Sequence, residues 1–274
     1  MSIDVVIPAR RDPSRLLFSL EHQTHTVDNV WIVSNEIERL RFRPKNVHLV
    51  RFSSQELAYG ESDVVLRRNL GISLSEADVV VLQDDDQVAP SGMIEACWRK
   101  TLEKPFVWGH HRFIDMDAQD VDQLMDFHPN LGREREHPPN APHGWFSCYA
   151  GMAAFRRSFF WEVGGFDMAF LGRHAGEDQN LGRRMMRHVG DKNVFIHEPP
   201  FAWHPVMPYR REYLPVTGNV CADGHQTLTR TTINGVEFQL CARCPYRAPA
   251  PEEKLLEDRV VIPFDPALVV WSIE

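Results

Sequence analysis

Three consecutive carboxylates, Asp84-Asp85-Asp86, directly follow the apolar run Val79-Val80-Val81-Leu82. Adjacent carboxylates repel one another and sit badly inside a strand. At the C-terminal end of a parallel strand they face the crevice where open α/β sheets bind ligands. There they can hold Mg²⁺ or Mn²⁺, hard cations that prefer oxygen and often bridge to substrate phosphates. The alternative is a solvated acidic turn. A second group is Gly164-Gly165-Phe166-Asp167, followed by Gly176-Glu177-Asp178. The glycines permit tight turns and close approach to a ligand. Glu177 and Asp178 open a helical segment, where the dipole favours carboxylates for structural reasons alone. A carboxylate there can also act as a general base if an acceptor hydroxyl comes within hydrogen-bond reach.

The third group is Cys221, His225, Cys241 and Cys244. Three thiolates and one imidazole match a closed, structural zinc site. Thr227–Thr232 and Val236–Leu240 flank Asn234-Gly235, a strong hairpin signal that would bring the two ligand pairs together as in a zinc ribbon. The alternative is three unrelated thiols and a surface histidine. Cys97 and Cys148 stand alone and read as buried thiols, and five cysteines in this pattern do not make a disulfide framework. His22, His25, His110 and His111 lack carboxylate partners at diagnostic spacing and read as structural or surface residues. Trp145-Phe146 and Phe159-Phe160-Trp161 read as core.

These groups need elements to position them. Ile3–Ile7, Val30–Val33, Val47–Arg51 and Val79–Leu82 read as strands, the first and last apolar enough to be covered on both faces. Between them lie helical patterns capped by Ser14, Ser62 and Ser91, the last running toward Lys104. Alternating strands and helices predict an α/β fold with a mainly parallel, mixed sheet and flanking helices. Asp115 to His143 is too long for an ordinary connection and reads as a lid or a partly disordered stretch. A second structured block runs from Trp145 to about His204, with helices near Arg156–Val163 and Glu177–His188. After Pro205 the composition changes, so the expected division is a domain over 1–210 and a small zinc-ribbon-like module with a tail over 211–274.

Bulk properties narrow the function. The 274 residues are 43% hydrophobic and 25% charged, with a formal net charge of −8 and a pI near 5.9. That balance disfavours a generic electrostatic grip on nucleic acid or anionic lipid. The clusters Arg183, Arg184, Arg187 and Arg210, Arg211 read as solvated faces. No apolar run approaches the roughly 20 residues of a membrane span. Met1 to Arg10 reads as a strand rather than a signal peptide, which predicts a cytoplasmic protein.

Taken together, these segments resemble the family 2 inverting glycosyltransferases of the GT-A fold. The pieces occur in the family's order: Asp4-Val5-Val6-Ile7-Pro8, Arg68-Asn69-Leu70-Gly71-Ile72, the aspartate triplet, Phe155-Arg156-Arg157, Val163-Gly164-Gly165-Phe166-Asp167 and Gly176-Glu177-Asp178. The resemblance runs from Ile3 to about Pro205. It implies that Pro8, Ala9 and Arg10 touch the nucleoside of a nucleoside-diphosphate sugar. It implies that Asp84 faces the nucleoside, with Asp85 and Arg68 also on the donor side, and that Asp86 ligates Mn²⁺ or Mg²⁺. Asp178 matches the catalytic base and Glu177 its neighbour in sugar contact. Gly164 and Gly165 resemble a donor- or acceptor-side turn. His204 fits best as the histidine that completes the metal site, with His197 next. The chain departs from the family after the second strand, where Ser34-Asn35-Glu36 stands in place of the usual base-binding acids.

Two other readings stay open on sequence. A nucleotidylyltransferase would carry a glycine-rich loop after the first strand, but that place holds Pro8-Ala9-Arg10-Arg11-Asp12-Pro13. A non-catalytic binding protein would use the zinc module for docking. The acceptor is a hydroxyl on a saccharide, a lipid-linked sugar, a protein or a nucleic-acid base, and the negative charge weighs against the last.

Overall fold

The computed structural model describes residues 1–53, 63–109, 151–171, 177–190 and 261–274, together with the strand backbone of 111–114, 133–134, 202–205, 228–233, 236–241 and 247–249. The first half alternates as its apolar pattern predicts: β1 (Ile3–Pro8), α1 (Ser14–Glu21), β2 (Asn29–Ser34), β3 (Val47–Ser53), α2 (Val64–Leu74), β4 (Val79–Gln83), α3 (Met93–Glu103) and β5 (Phe106–Trp108). There follow β6 (His111–Ile114), β7 (Arg133–Glu134), β8 (Met152–Arg156), α4 (Arg157–Glu162), a 3-10 turn at Met168–Phe170, α5 (Glu177–Val189) and β9 (Ala202–Pro205). The remaining strands are β10 (Leu228–Ile233), β11 (Val236–Cys241), β12 (Arg247–Pro249) and β13 (Val270–Ile273).

The main sheet has seven strands in the order β13-β3-β2-β1-β4-β8-β5. β3, β2, β1 and β4 run parallel. β8 is antiparallel to β4, β5 to β8, and β13 to β3. The sheet is therefore mixed, with a parallel centre. Alternation along β1 sends Ile3, Val5 and Ile7 into one core with Leu16, Leu17, Met93 and Cys97, and Val6 into the other with Phe160, Leu181 and Met185. Asp4 is the polar exception, fully buried in β1. Its carboxylate accepts hydrogen bonds from the Asn29 backbone and side chain, from Trp31 Nε1 at 2.9 Å and from Ser75 Oγ at 2.7 Å, which offsets the cost of burying it.

Three expected caps are corrected. Ser14 lies inside α1 behind Pro13, and its hydroxyl donates to Asp12 at 2.7 Å. Asp63, not Ser62, holds the cap position of α2; its carboxylate is turned to Arg67 rather than to the helix amides. Gly92, not Ser91, precedes α3. Ser62 lies outside the described residues.

Two smaller sheets accompany the main one, β7-β6-β9 and β10-β11-β12. β10 and β11 form the expected hairpin, with Ile233 opposite Val236 at its closed end and Leu228 opposite Cys241 at its open end. The apolar tail returns to the main sheet, where β13 pairs with β3. Apart from Arg133–Glu134, the stretch Asp115 to His143 lies outside the described residues. Among the described residues no helix is long and apolar enough to cross a membrane.

Candidate active site

The site forms where the loops after β1, β2 and β4 meet α2 and the first turn of α5. α2 is the organising element. It lies so close on the sheet that a Cβ at Gly71 would come within 2.5 Å of Val6 Cγ1. Its consecutive residues Arg67 and Arg68 project about 100° apart around the helix axis, and both are buried. Arg67 reaches the first two loops. It donates to the Ala9 carbonyl, to Asn35 Oδ1 at 2.6 Å, to Glu36 Oε1 at 2.9 Å and to Asp63 Oδ2 at 2.8 Å.

Arg68 turns the other way. Its Nη1 lies 2.9 Å from Glu177 Oε1, its Nη2 lies 3.6 Å from Asp84 Oδ1, and its guanidinium sits 5.2 Å above the Phe166 ring. Burial works to lower its pKa, but Glu177, then Asp84 and Asp178, outweigh that and hold it above its ordinary value. Arg68 therefore stays charged and joins the strand-end carboxylates to the start of α5. Glu177 is buried, and its Oε2 has no hydrogen-bond partner among the described residues. Asp178, in the same turn, accepts from the Gln179 amide at 2.7 Å.

The aspartate triplet divides its labour. Asp84 faces Arg68. Asp85 is spent inside the protein: its Oδ2 accepts from the Arg10 and Arg11 amides at 2.7 and 2.8 Å, and its Oδ1 from Arg11 Nη2 at 3.0 Å. Asp85 thus ties the β4 loop to the β1 loop and fixes the backbone at Pro8, Ala9 and Arg10. The Arg10 side chain is half exposed, 3.7 Å from Glu36 and 3.5 Å from Asp63. Asp86 Oδ2 lies 2.7 Å from Arg11 Nη2.

Gly164 and Gly165, which the resemblance gives as a donor- or acceptor-side turn, follow α4 and form a joint tied to α5 through Arg184. Their φ angles are +89° and +64°, which L side chains rarely adopt. Asn69 of α2 clamps the next residue, accepting from the Phe166 amide at 3.0 Å and donating to its carbonyl at 2.8 Å. Arg184, expected on a solvated face, instead turns inward from α5 to bond the Val163 and Gly165 carbonyls. Its burial lowers its pKa to about 10, against the pull of Asp167. The joint therefore locks α2 to α5 and seats Phe166 beneath Arg68. His22 bonds the Phe18 carbonyl and His25 stacks on Trp98, consistent with structural roles.

His204 is placed by its backbone alone, in β9 opposite Phe113 of β6, and Cys241 by its backbone at the end of β11. Gly176, His197, Cys148, Cys221, His225, Cys244, His110, Trp145-Phe146, Arg210 and Arg211 lie outside the described residues. Among the described residues no three His, Cys, Asp or Glu side chains gather as a metal-ligand set. The donors at the triplet nevertheless suit Mg²⁺ or Mn²⁺, which commonly take one or two carboxylates together with substrate phosphates. Asp86 carries such a carboxylate in the loop after β4, with Arg11 Nη2 2.7 Å from its Oδ2. Sequence reading missed Arg11, Arg67, Asp63 and Glu36 as site components. The Asp63–Arg67 spacing, one helical turn, was a usable signal.

The model of the family described as glycosyl transferase family 2 matches residues 4–164. No curated protein matches the chain. Among solved structures, S. aureus TarS 1-349 in complex with UDP-GlcNAc aligns with a TM-score of 0.51 at 14% identity, covering 76% of this chain and 59% of that one. The same TarS fragment with UDP gives 0.49 at 13% identity, over 77% and 62%. A further crystal structure of TarS gives 0.48 at 13%, over 77% and 38%. The chain thus spans less than two thirds of the length of each of these structures. At such identity the likeness is one of fold.

Proposed function

The chain belongs to glycosyl transferase family 2, and from that premise we propose that it is a glycosyltransferase that moves a sugar from a nucleoside-diphosphate donor to an acceptor hydroxyl with inversion at the sugar carbon. The observation that carries this reading is the buried Arg68 bridge between Asp84 and Glu177. It joins the donor-side loops to the turn bearing Asp178.

In this mechanism the β1 loop, Pro8 to Arg10, receives the nucleoside, with Asp84 beside it. Asp85 acts through the loop it holds, and Arg68 sets the distance between the donor side and α5. Glu177, whose Oε2 has no partner among the described residues, is the residue for a sugar hydroxyl. Asp178 removes the acceptor proton as the acceptor oxygen bonds to the sugar carbon and the bond from that carbon to the diphosphate breaks. Asp86, with His204 completing the set, would hold Mn²⁺ or Mg²⁺, and such a cation would supply positive charge to the leaving diphosphate. UDP-GlcNAc, the ligand of one TarS structure, is the first donor to test. Wild-type protein with Mn²⁺, a panel of nucleotide sugars and acceptors should release nucleoside diphosphate. Asp178→Asn should keep donor binding and lose at least about a hundredfold in turnover. Near wild-type turnover in that variant would remove Asp178 from the role of base.

The same reading gives Cys221, His225, Cys241 and Cys244 one structural Zn²⁺ in a module following about residue 210. Supporting it, β10 to β12 pair only with one another among the described residues, and the open end of the hairpin carries Cys241.

A further inference from the structure

Arg11 comes from the loop after β1 and lays its guanidinium across Asp85 and Asp86. One nitrogen, Nη2, serves both, at 3.0 Å from Asp85 Oδ1 and 2.7 Å from Asp86 Oδ2. The two carboxylates depend on it differently. Asp85 is anchored independently by the Arg10 and Arg11 amides. For Asp86, Arg11 supplies a positive charge 2.7 Å from Oδ2, which any cation taken by that carboxylate must meet. The Arg11 side chain is 41% exposed, against 12% for Asp86. With that exposure its guanidinium can be reached by an anion from the solvent side.

We propose that Arg11 is a built-in competitor for the divalent cation, released from Asp86 when the donor diphosphate offers it another anion. This rests on the assignment of Asp86 to the metal. A guanidinium and a metal ion on one carboxylate oxygen repel each other, so a cation entering alone must displace Arg11. A nucleoside diphosphate changes the balance, because its oxygens match the guanidinium fork as well as a carboxylate does. Arg11 then moves from opposing the cation to holding the diphosphate beside it. Metal and donor favour each other's binding, and by thermodynamic linkage each gains the same factor from the other. The enzyme consequently takes up little free metal until a donor arrives.

The test is a calorimetric titration with Mn²⁺, with and without saturating UDP, on wild type, Arg11→Gln, Arg11→Ala and Asp86→Ala, each checked for an unchanged thermal transition. Without UDP, Arg11→Gln and Arg11→Ala should bind Mn²⁺ about tenfold more tightly than wild type, and the gain from adding UDP should shrink by a similar factor. A residue that merely contacts diphosphate would leave nucleotide-free Mn²⁺ affinity unchanged, and one that merely braces Asp86 would lower it. Either result in the two Arg11 variants overturns the proposal while leaving Asp86 as the metal ligand. If Asp86→Ala binds Mn²⁺ as wild type does, or wild type binds none even with UDP, the metal assignment itself fails and the role of Arg11 fails with it.

Discussion

Replacing Arg68 by Met strips Glu177 of the guanidinium 2.9 Å from its Oε1, while keeping most of the apolar stem over Phe166. The gross attraction across that distance is about 6 kcal/mol at an effective dielectric constant of about 20. Desolvation of both groups offsets most of it, so the pair adds little net stability. Removing one partner is a different matter, because it leaves a buried charge uncompensated, at about 3–5 kcal/mol. The second Glu177 oxygen is already without a partner among the described residues, so the carboxylate has little else to turn to. Glu177→Gln alone should cost less, about 1–2 kcal/mol, because Arg68 still faces Asp84 and the amide can still accept a hydrogen bond. The decisive variant is Arg68→Met/Glu177→Gln. It removes the stranded charge and should be more stable than Arg68→Met alone by about 1–3 kcal/mol. Urea unfolding of wild type, both single variants and the double variant gives the cycle. If the double variant loses the sum of the two single losses, the residues are not coupled and the bridge is incidental.

Three further outcomes follow from other parts of the molecule. Gly165→Ala forces a Cβ into a φ of +64° within 3.0 Å of Trp161 and 3.1 Å of Phe160, so it should cost about 2–3 kcal/mol and lower the melting temperature by roughly 5–10 °C; an unchanged transition would contradict the locked joint. Burial pushes the Cys97 thiol up to about 12, whereas in the unfolded chain it ionises near 8.5. Its contribution to stability is thus intact below about pH 8.5 and falls by about 1.4 kcal/mol per pH unit as pH rises toward 12. Cys97→Ala should flatten the alkaline limb of a stability profile; an identical limb would refute the assignment. Protein purified without added metal should carry close to one zinc per chain by elemental analysis, and Cys241→Ser/Cys244→Ser should lose it while still binding donor, since soft thiolates select zinc and the aspartates do not. Finding no zinc would remove that module's metal.

The parallel centre of the sheet was legible because its strands are nearly pure apolar runs. Val79–Gln83 has every residue buried, and a pattern of that kind has few other solutions. Strand ends were legible for the same reason, which put the aspartate triplet in the loop directly after β4. The caps were not. Serine is a good cap by propensity, but at α2 Asp63 holds the cap position and its carboxylate turns to the Arg67 guanidinium one helical turn on, so a side-chain pair took the place of the amide cap. The destination of the apolar tail was equally hidden. Val270–Ile273 is apolar enough for a strand, yet its partner β3 lies near the other end of the sequence, and no local pattern encodes that pairing.

The arginines show why the site itself was only half readable. Charged side chains are presumed solvated, since burying one alone is prohibitive. Arg183-Arg184 and Arg67-Arg68 look alike on that presumption. Arg184 is drawn in by carbonyls that a left-handed glycine turn leaves pointing at it. Arg67 and Arg68 are drawn in by carboxylates on loops distant in sequence: Glu36 for one, Asp84 and Glu177 for the other. Apart from Asp63, one helical turn before Arg67, the partners of these arginines are supplied by the topology. The acids, by contrast, announce themselves by clustering. Sequence therefore exposes the acids of this site and, through the family resemblance, Arg10 and Arg68, whereas Arg11 and Arg67 become visible only in the fold. Arg68 and Arg11 each engage two of those acids, Asp84 and Glu177 for one and Asp85 and Asp86 for the other.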